Sequence, residues 1–202
     1  MYKLVTRNLW HINRNMNKYK DMMTFYSLVG RLKKIKRSGW VRKGVEDPET
    51  ISGHMYRMSI MAMTMCEPDL RKDHCMKLCL VHDMAECIVG DYTPCDGISK
   101  EQKYTEETNA MRQLGDLLPQ HNAEEIQSLF QEFEEQKTPE SIFVKDLDRL
   151  DMILQAYEYE NDSERPGWLQ EFFDSTEGYF KTQTVKDFVA TLKEKRSAEG
   201  TK

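Results

Sequence analysis

The 202-residue chain is 39% apolar and 31% charged, a balance that excludes the low-hydrophobicity, high-charge profile of disorder and suits one globular domain. Its formal charge of -5 excludes a dominant nonspecific grip on a nucleic-acid polymer, which needs a concentrated basic surface. No apolar run approaches the roughly 18 residues of a membrane-spanning helix, so neither polymer nor membrane is expected as a partner.

In chain order, residues 1–20 are expected as a flexible N-terminal arm. An organellar-targeting segment is the alternative, because this stretch mixes basic and apolar residues with no acid before Asp21. Met22, Phe25, Leu28, Val29, Leu32 and Ile35 then fall on one helical face, with a stop before Ser38-Gly39. The run Lys33, Lys34, Lys36, Arg37 reads either as a solvated helix end or as a phosphate-facing edge. Trp40 to Val45 is expected as a connection, and Asp47-Pro48-Glu49 as cap and first turn of a second helix. That helix carries the apolar stripe Met55, Met58, Met61, Ala62 and Met65, expected to be flexible core packing.

Asp73 to Val89 reads as a third helix, stopped by Gly90, with Asp91-Tyr92-Thr93-Pro94 as a loop. Ser99 with Gln102 predicts a capping box for a helix through Leu118, and Pro119 ends it. Ala123 to Phe133 is amphipathic, and Thr138-Pro139 opens a long helix through Tyr159. Shorter helices are expected at Leu169 to Phe173 and Val185 to Leu192, with fraying after Glu194. The expectation is an all-α domain over residues 21–195 and a flexible tail over 196–202. Cys66, Cys75, Cys79, Cys87 and Cys95 form an odd set without CxxC spacing. They are expected as free thiols in a reducing, intracellular and cytoplasmic setting.

The strongest chemical feature is Leu80-Val81-His82-Asp83-Met84-Ala85-Glu86. An imidazole and two carboxylates inside an apolar helix incur desolvation unless paired, hydrogen-bonded or bound to a cation. His82 or Asp83 alone is compatible with a satisfied core or a helix boundary. His54 alone reads as a cap or core histidine, and Asp148 as a helix ion pair with Lys145. Together, His54, His82, Asp83 and Asp148 provide two imidazoles and two carboxylates for a nitrogen/oxygen divalent-metal site. Glu86, one turn past Asp83, is the candidate general acid/base, against the blander reading of a helix-surface carboxylate.

This set resembles the HD-domain phosphohydrolases, whose pattern is an isolated histidine, a histidine-aspartate pair and a distant aspartate. Arg37-Ser38-Gly39-Trp40, Pro48 to Met58, His82 to Glu86, Gly90-Asp91 and Lys145 to Asp148 extend the likeness to a 5′-deoxynucleotidase subgroup that includes the HD domain-containing protein 2 family. The resemblance spans roughly Met22 to Phe180. It implies a compact helical HD fold that holds a metal through His54, His82, Asp83 and Asp148. The reaction it implies is removal of the 5′-phosphate from deoxyribonucleoside monophosphates.

On the same ground, Glu86 and Asp91 are expected to be catalytic or to hold a second metal, and Arg37 and Trp40 to meet phosphate and sugar. Asp91, Tyr92, Thr93 and Pro94 form the expected substrate loop. The chain places Ser38-Gly39 between Arg37 and Trp40, where compact variants have none. Lys145 either orients Asp148 or pairs with it simply, and Asp151 is the alternative register for the ligand. Manganese or cobalt is implied, magnesium remains open, and a homodimer is expected. Another phosphomonoester hydrolase or nucleotide pyrophosphohydrolase, and a nonenzymatic nucleotide sensor, are the competing readings.

Overall fold

The computed structural model describes residues 19–199. Among these residues every regular element is a helix or 3-10 turn, apart from one antiparallel bridge between Lys36 and Thr50, so the expected all-α class holds. The expected arm over 1–18 and the last three residues lie outside the described residues. No described helix is long and apolar enough to cross a membrane. The chain divides into two compact units, residues 19–52 with 83–130 and residues 53–82 with 131–199.

The first unit opens with α1 (19–29), which tightens into a 3-10 turn at Gly30–Lys33. Phe25 and Leu32 are its buried anchors. The helix expected through Ile35 ends early because Lys36 is extended in the bridge to Thr50, with Arg37 N–H donating to Glu49 O at 3.1 Å. A short helix, α2 (Ser38–Arg42), replaces the expected connection and buries Trp40, whose indole donates to Glu49 Oε1 at 3.0 Å. Asp47 does not cap the next helix. Its backbone takes a φ of 44° and its carboxylate accepts from Lys36 Nζ at 2.8 Å.

Helix α3 (Ile51–Met65) carries the methionine stripe, with Met55, Met58 and Met61 buried as expected. The single helix expected over Asp73 to Val89 is two: α4 (Lys72–Val81) and α5 (Glu86–Val89). Between them the chain tightens to three-residue turns, with Glu86 N–H donating to Asp83 O at 3.1 Å and Cys87 N–H to Met84 O at 3.2 Å. Val81, Met84, Ala85 and Cys87 are buried straight through the break, so the apolar pattern runs on where the backbone does not. Gly90 then takes a φ of 85°, a conformation glycine adopts without the steric cost of a Cβ.

The first unit is completed by α6 (Lys100–Gly115) and the greater part of α7 (Gln120–Glu135). Ser99 Oγ accepts from Gln102 N–H at 3.0 Å, one half of the expected capping box, while the Gln102 side chain donates to Glu106 Oε1 at 2.9 Å instead of completing it. Helix α6 stops at Gly115, three residues short of expectation, and turns close the segment through Leu118.

In the second unit α8 (Pro139–Asp162) is the spine. Thr138 caps it by accepting from Ser141 N–H at 3.1 Å, and Pro139 fills the first turn, where its missing N–H costs nothing. Helices α4, α9 (Gln170–Thr176) and α10 (Gln183–Glu199) pack against it. Met58, Leu78, Phe143, Leu147, Leu150 and Ile153 make a fully buried core.

The fraying expected after Glu194 is corrected by Arg196, which forks onto Glu160 at 2.7 and 2.9 Å and keeps α10 helical to Glu199. Glu160 is buried and also accepts from Leu169 N–H at 2.7 Å. Removing its cation strands a charge in the core. Arg196→Met is therefore expected to lower the unfolding free energy by roughly 2 kcal/mol, read from urea denaturation followed by circular dichroism.

Candidate active site

In the second unit, His54 in the first turn of α3, His82 at the end of α4 and Asp148 in α8 bring one ligand atom each within 4.8 Å of one another. His54 Nε2 lies 3.3 Å from Asp148 Oδ1, and the two imidazole rings meet edge to face at 5.3 Å. Both histidines are buried. What faces their other nitrogens fixes their chemistry. His82 Nδ1 is 2.9 Å from Cys79 O, a carbonyl that only accepts, so Nδ1 bears the proton. His54 Nδ1 is 2.6 Å from Asp151 Oδ2, with the same result. In its neutral form each ring therefore presents an Nε2 lone pair on the Asp148 side, the form in which imidazole ligates a metal.

Burial pushes the Asp148 carboxyl up. The Lys145 ammonium, the hydrogen bond from His54 and the charge of His82 outweigh it and hold Asp148 well below the usual carboxylate range. Lys145 Nζ is 2.8 Å from Asp148 Oδ2 and sits 4.8 Å over the Phe133 ring, which also packs 4.9 Å from His82. With the proton facing Asp148 given up, the two imidazoles and the ionised carboxylate fit a divalent cation of the nitrogen/oxygen-loving kind.

In the first unit, the residue after His82 heads a second cluster. Asp83 Oδ2 accepts from Arg37 Nη1 at 3.1 Å. Glu86 is buried, and its Oε2 has no hydrogen-bond partner among the described residues. Asp91, released by Gly90, is tied to Ser38 twice: its carboxylate accepts the backbone N–H and its carbonyl accepts the hydroxyl at 2.9 Å.

Burial, then the negative charges of Asp83 and Asp91, push the Glu86 carboxyl well above its usual value, against Arg37 and Lys103. Asp91 is also raised, by burial first, with Arg37 and the Ser38 N–H opposing. Burial would lower the Lys103 ammonium, yet Glu107, Asp83, Glu86 and Asp91 together push it up to about 12.

The remaining expected substrate residues are engaged within the same unit. Trp40 is only 1% exposed, which is the geometry of a core anchor. The Tyr92 hydroxyl donates to Glu106, the Thr93 hydroxyl to Asp96 at 2.8 Å, and Pro94 starts the short 3-10 turn Pro94–Asp96. Asp151, read from the sequence as a rival ligand, supports His54 from behind. Sequence reasoning missed Arg57, which grips Asp151, and Lys103. Neither carries a signal of its own: Arg57 lies in a methionine-rich helix face, and Lys103 is accounted for by its i,i+4 partner Glu107, 3.5 Å away.

An imidazole pair, an aspartate next in sequence and a distant helical aspartate follow the HD pattern, and the HD domain family matches residues 29–187. The chain belongs to that family. It is 49% identical over 179 residues to 5′-deoxynucleotidase HDDC2 of Xenopus laevis, covering 89% of each chain. It is 48% identical over 178 residues to 5′-deoxynucleotidase HDDC2 of Homo sapiens, covering 88% of this chain and 87% of that one. A solved structure of a conserved hypothetical protein from Pyrococcus furiosus has a TM-score of 0.69 at 30% identity, covering 87% of this chain and 99% of that one.

The raised Glu86 carboxyl has a measurable effect on stability. In the unfolded chain Glu86 releases its proton around its ordinary 4.5, whereas the folded chain retains it to higher pH. The folded state then binds more protons, so Glu86 lowers stability as pH rises from that value through the folded one. Glu86→Gln is expected to raise the melting temperature of the metal-free chain increasingly as pH climbs above 4.5, and to change it little below that value. A pH series of thermal melts on both proteins checks this.

Proposed function

We propose that the chain is a metal-dependent 5′-deoxynucleotidase, hydrolysing deoxyribonucleoside 5′-monophosphates to deoxyribonucleosides and inorganic phosphate. The observation that carries it is the convergence of His54, His82 and Asp148, joined through the His82-Asp83 peptide bond to an acidic cluster holding an arginine. The names of the HDDC2 relatives supply the substrate class. His54, His82, Asp83 and Asp148 would hold one divalent cation, manganese or cobalt by family likeness, with magnesium open. When bound, such a cation polarises a phosphoryl oxygen and lowers the pKa of a coordinated water.

The protein's own groups do the rest. Arg37 supplies a forked donor array for phosphate, and exchanges Asp83 for it as substrate arrives. Glu86, whose surroundings favour its protonated form, delivers its proton to the departing 5′-oxygen of the sugar. In the alternative to that acid role, Glu86 and Asp91 would both ionise and hold a second cation. Lys103 offsets the negative charge of Asp83, Glu86 and Asp91, and Lys145 holds Asp148 ionised. The loop Asp91-Tyr92-Thr93-Pro94 shapes the sugar side. Residues 21–195 form the catalytic domain, working as an intracellular homodimer.

Phosphate release from matched deoxyribose and ribose monophosphates, and from di- and triphosphates, tests the reading. The metal-replete chain is expected to favour deoxyribonucleoside monophosphates in kcat/KM. Asp83→Asn, which keeps the shape but removes the anionic ligand, is expected to lower kcat on the order of 100-fold or more. Predominant turnover of triphosphates would replace the assignment with a pyrophosphohydrolase. Monophosphate binding without release under any metal would make the chain a sensor.

A further inference from the structure

His54 is gripped from behind by a chain of groups that the reaction itself does not use. Asp151 is fully buried, and its two oxygens face different partners: Oδ2 meets His54 Nδ1 at 2.6 Å, while Oδ1 accepts from Arg57 Nε. Arg57 Nη2 also donates to Asp151 O at 3.2 Å, and Nη1 to Glu158 Oε2 at 2.6 Å near the surface. Arg57 is one turn beyond His54 on α3, and Asp151 one turn beyond Asp148 on α8. The same helical spacing thus places a ligand and its support on each helix.

We propose that Arg57 and Asp151 are positioning residues that dictate which nitrogen of His54 is offered to the metal. This rests on His54 being a ligand, as proposed above. The argument is one of donors and acceptors. Guanidinium has five N–H donors and no acceptor, so whatever occupies position 151 must present an oxygen to Arg57. A carboxylate has a second oxygen left for His54 Nδ1–H, which keeps the Nε2 lone pair available for a cation.

An amide at that position has only one oxygen. With Arg57 present, Asp151→Asn must turn its oxygen to Arg57 and its NH2 to His54 Nδ1. The proton then moves to His54 Nε2, where it blocks ligation. Removing the Arg57 donors as well lets the amide turn over, presents its oxygen to Nδ1–H and restores the ligating form. A purely structural role for the pair predicts the reverse, since a second lesion in one buried network adds damage.

The test uses the full chain and two readouts. One is 15N NMR of the His54 ring in the metal-free protein, at alkaline pH where imidazole is neutral. The other is titration with Co2+ followed by its visible absorption. Wild type and Arg57→Met are expected to show the Nδ1–H tautomer. Asp151→Asn is expected to show Nε2–H and to bind Co2+ about 10- to 100-fold more weakly.

Arg57→Met combined with Asp151→Asn should return to Nδ1–H and bind Co2+ more tightly than Asp151→Asn alone. Arg57→Lys with Asp151→Asn should not, because lysine is also donor-only. The proposal is overturned if Asp151→Asn keeps Nδ1–H and binds within about two-fold of wild type. It is equally overturned if the Met double variant keeps the tautomer and affinity of the single one. If wild type takes up no Co2+, the metal-dependent function fails, while the tautomers still decide the roles of Arg57 and Asp151.

Discussion

A charge buried in an apolar helix must be compensated within hydrogen-bonding reach, and α8 is built around that constraint. Phe143, Val144, Leu147, Leu150 and Ile153 make it a core helix, yet the same helix carries Asp146, Asp148, Asp151 and Glu160. Asp146 accepts from the backbone N–H groups of Lys181 and Thr182, both at 2.7 Å, and thereby sets the start of α10. Glu160 takes Arg196 and ties down the other end of α10. Asp151 takes His54 and Arg57, and Asp148 takes Lys145 beside the two imidazoles. The acids that a hydrophobic core would exclude are the ones that place its neighbours.

Asp148 differs from the other three in what surrounds it. Asp146, Asp151 and Glu160 are matched by donors whose positions are set by backbone or by a forked cation. Asp148 instead shares its space with the Nε2 faces of two histidines whose protons are committed to Cys79 O and Asp151. That commitment suits two buried imidazoles to ligation, because it settles which nitrogen keeps a lone pair once the rings are neutral. Phe133 beside His82 adds an apolar wall, which strengthens every charge interaction around it.

The carboxylates of the two units are driven in opposite directions. Asp148 is held ionised, against burial, by Lys145 and the two histidines beside it, as would suit a ligand. Glu86 is pushed towards its protonated form by burial and by its acidic neighbours Asp83 and Asp91, as suits a proton carrier. Environment alone separates the two roles, since the functional groups are the same. The turn between α4 and α5 is what makes the separation possible. His82 and Asp83 are adjacent in sequence, yet one closes the α4 segment and the other opens the unit containing Glu86, Asp91 and Arg37.

Much of this was legible in the sequence because it follows from local rules. Helical periodicity placed α3, α7 and α8, and the side-chain caps Ser99 and Thr138 marked starts the structure keeps. His82, Asp83 and Glu86 stood out as polar groups in an apolar run, whereas His54 and Asp148, which alone read as a cap or core histidine and a helix ion pair, joined them only as a combined nitrogen/oxygen set and through likeness to the HD pattern. Tertiary contacts decided the rest. Asp47 gave up a cap for Lys36, and α10 ran on to Glu199 because Arg196 met Glu160. The α4–α5 break was invisible because buried residues continue through it in helical register. Asp151 and Asp148 were indistinguishable as candidates from spacing alone. Only the fold, by setting Arg57 and a ring nitrogen against one and two ring nitrogens against the other, made the first a support and the second a candidate ligand. Spacing along a helix determines which residues share a face, whereas the partner each one meets depends on packing between segments distant in sequence.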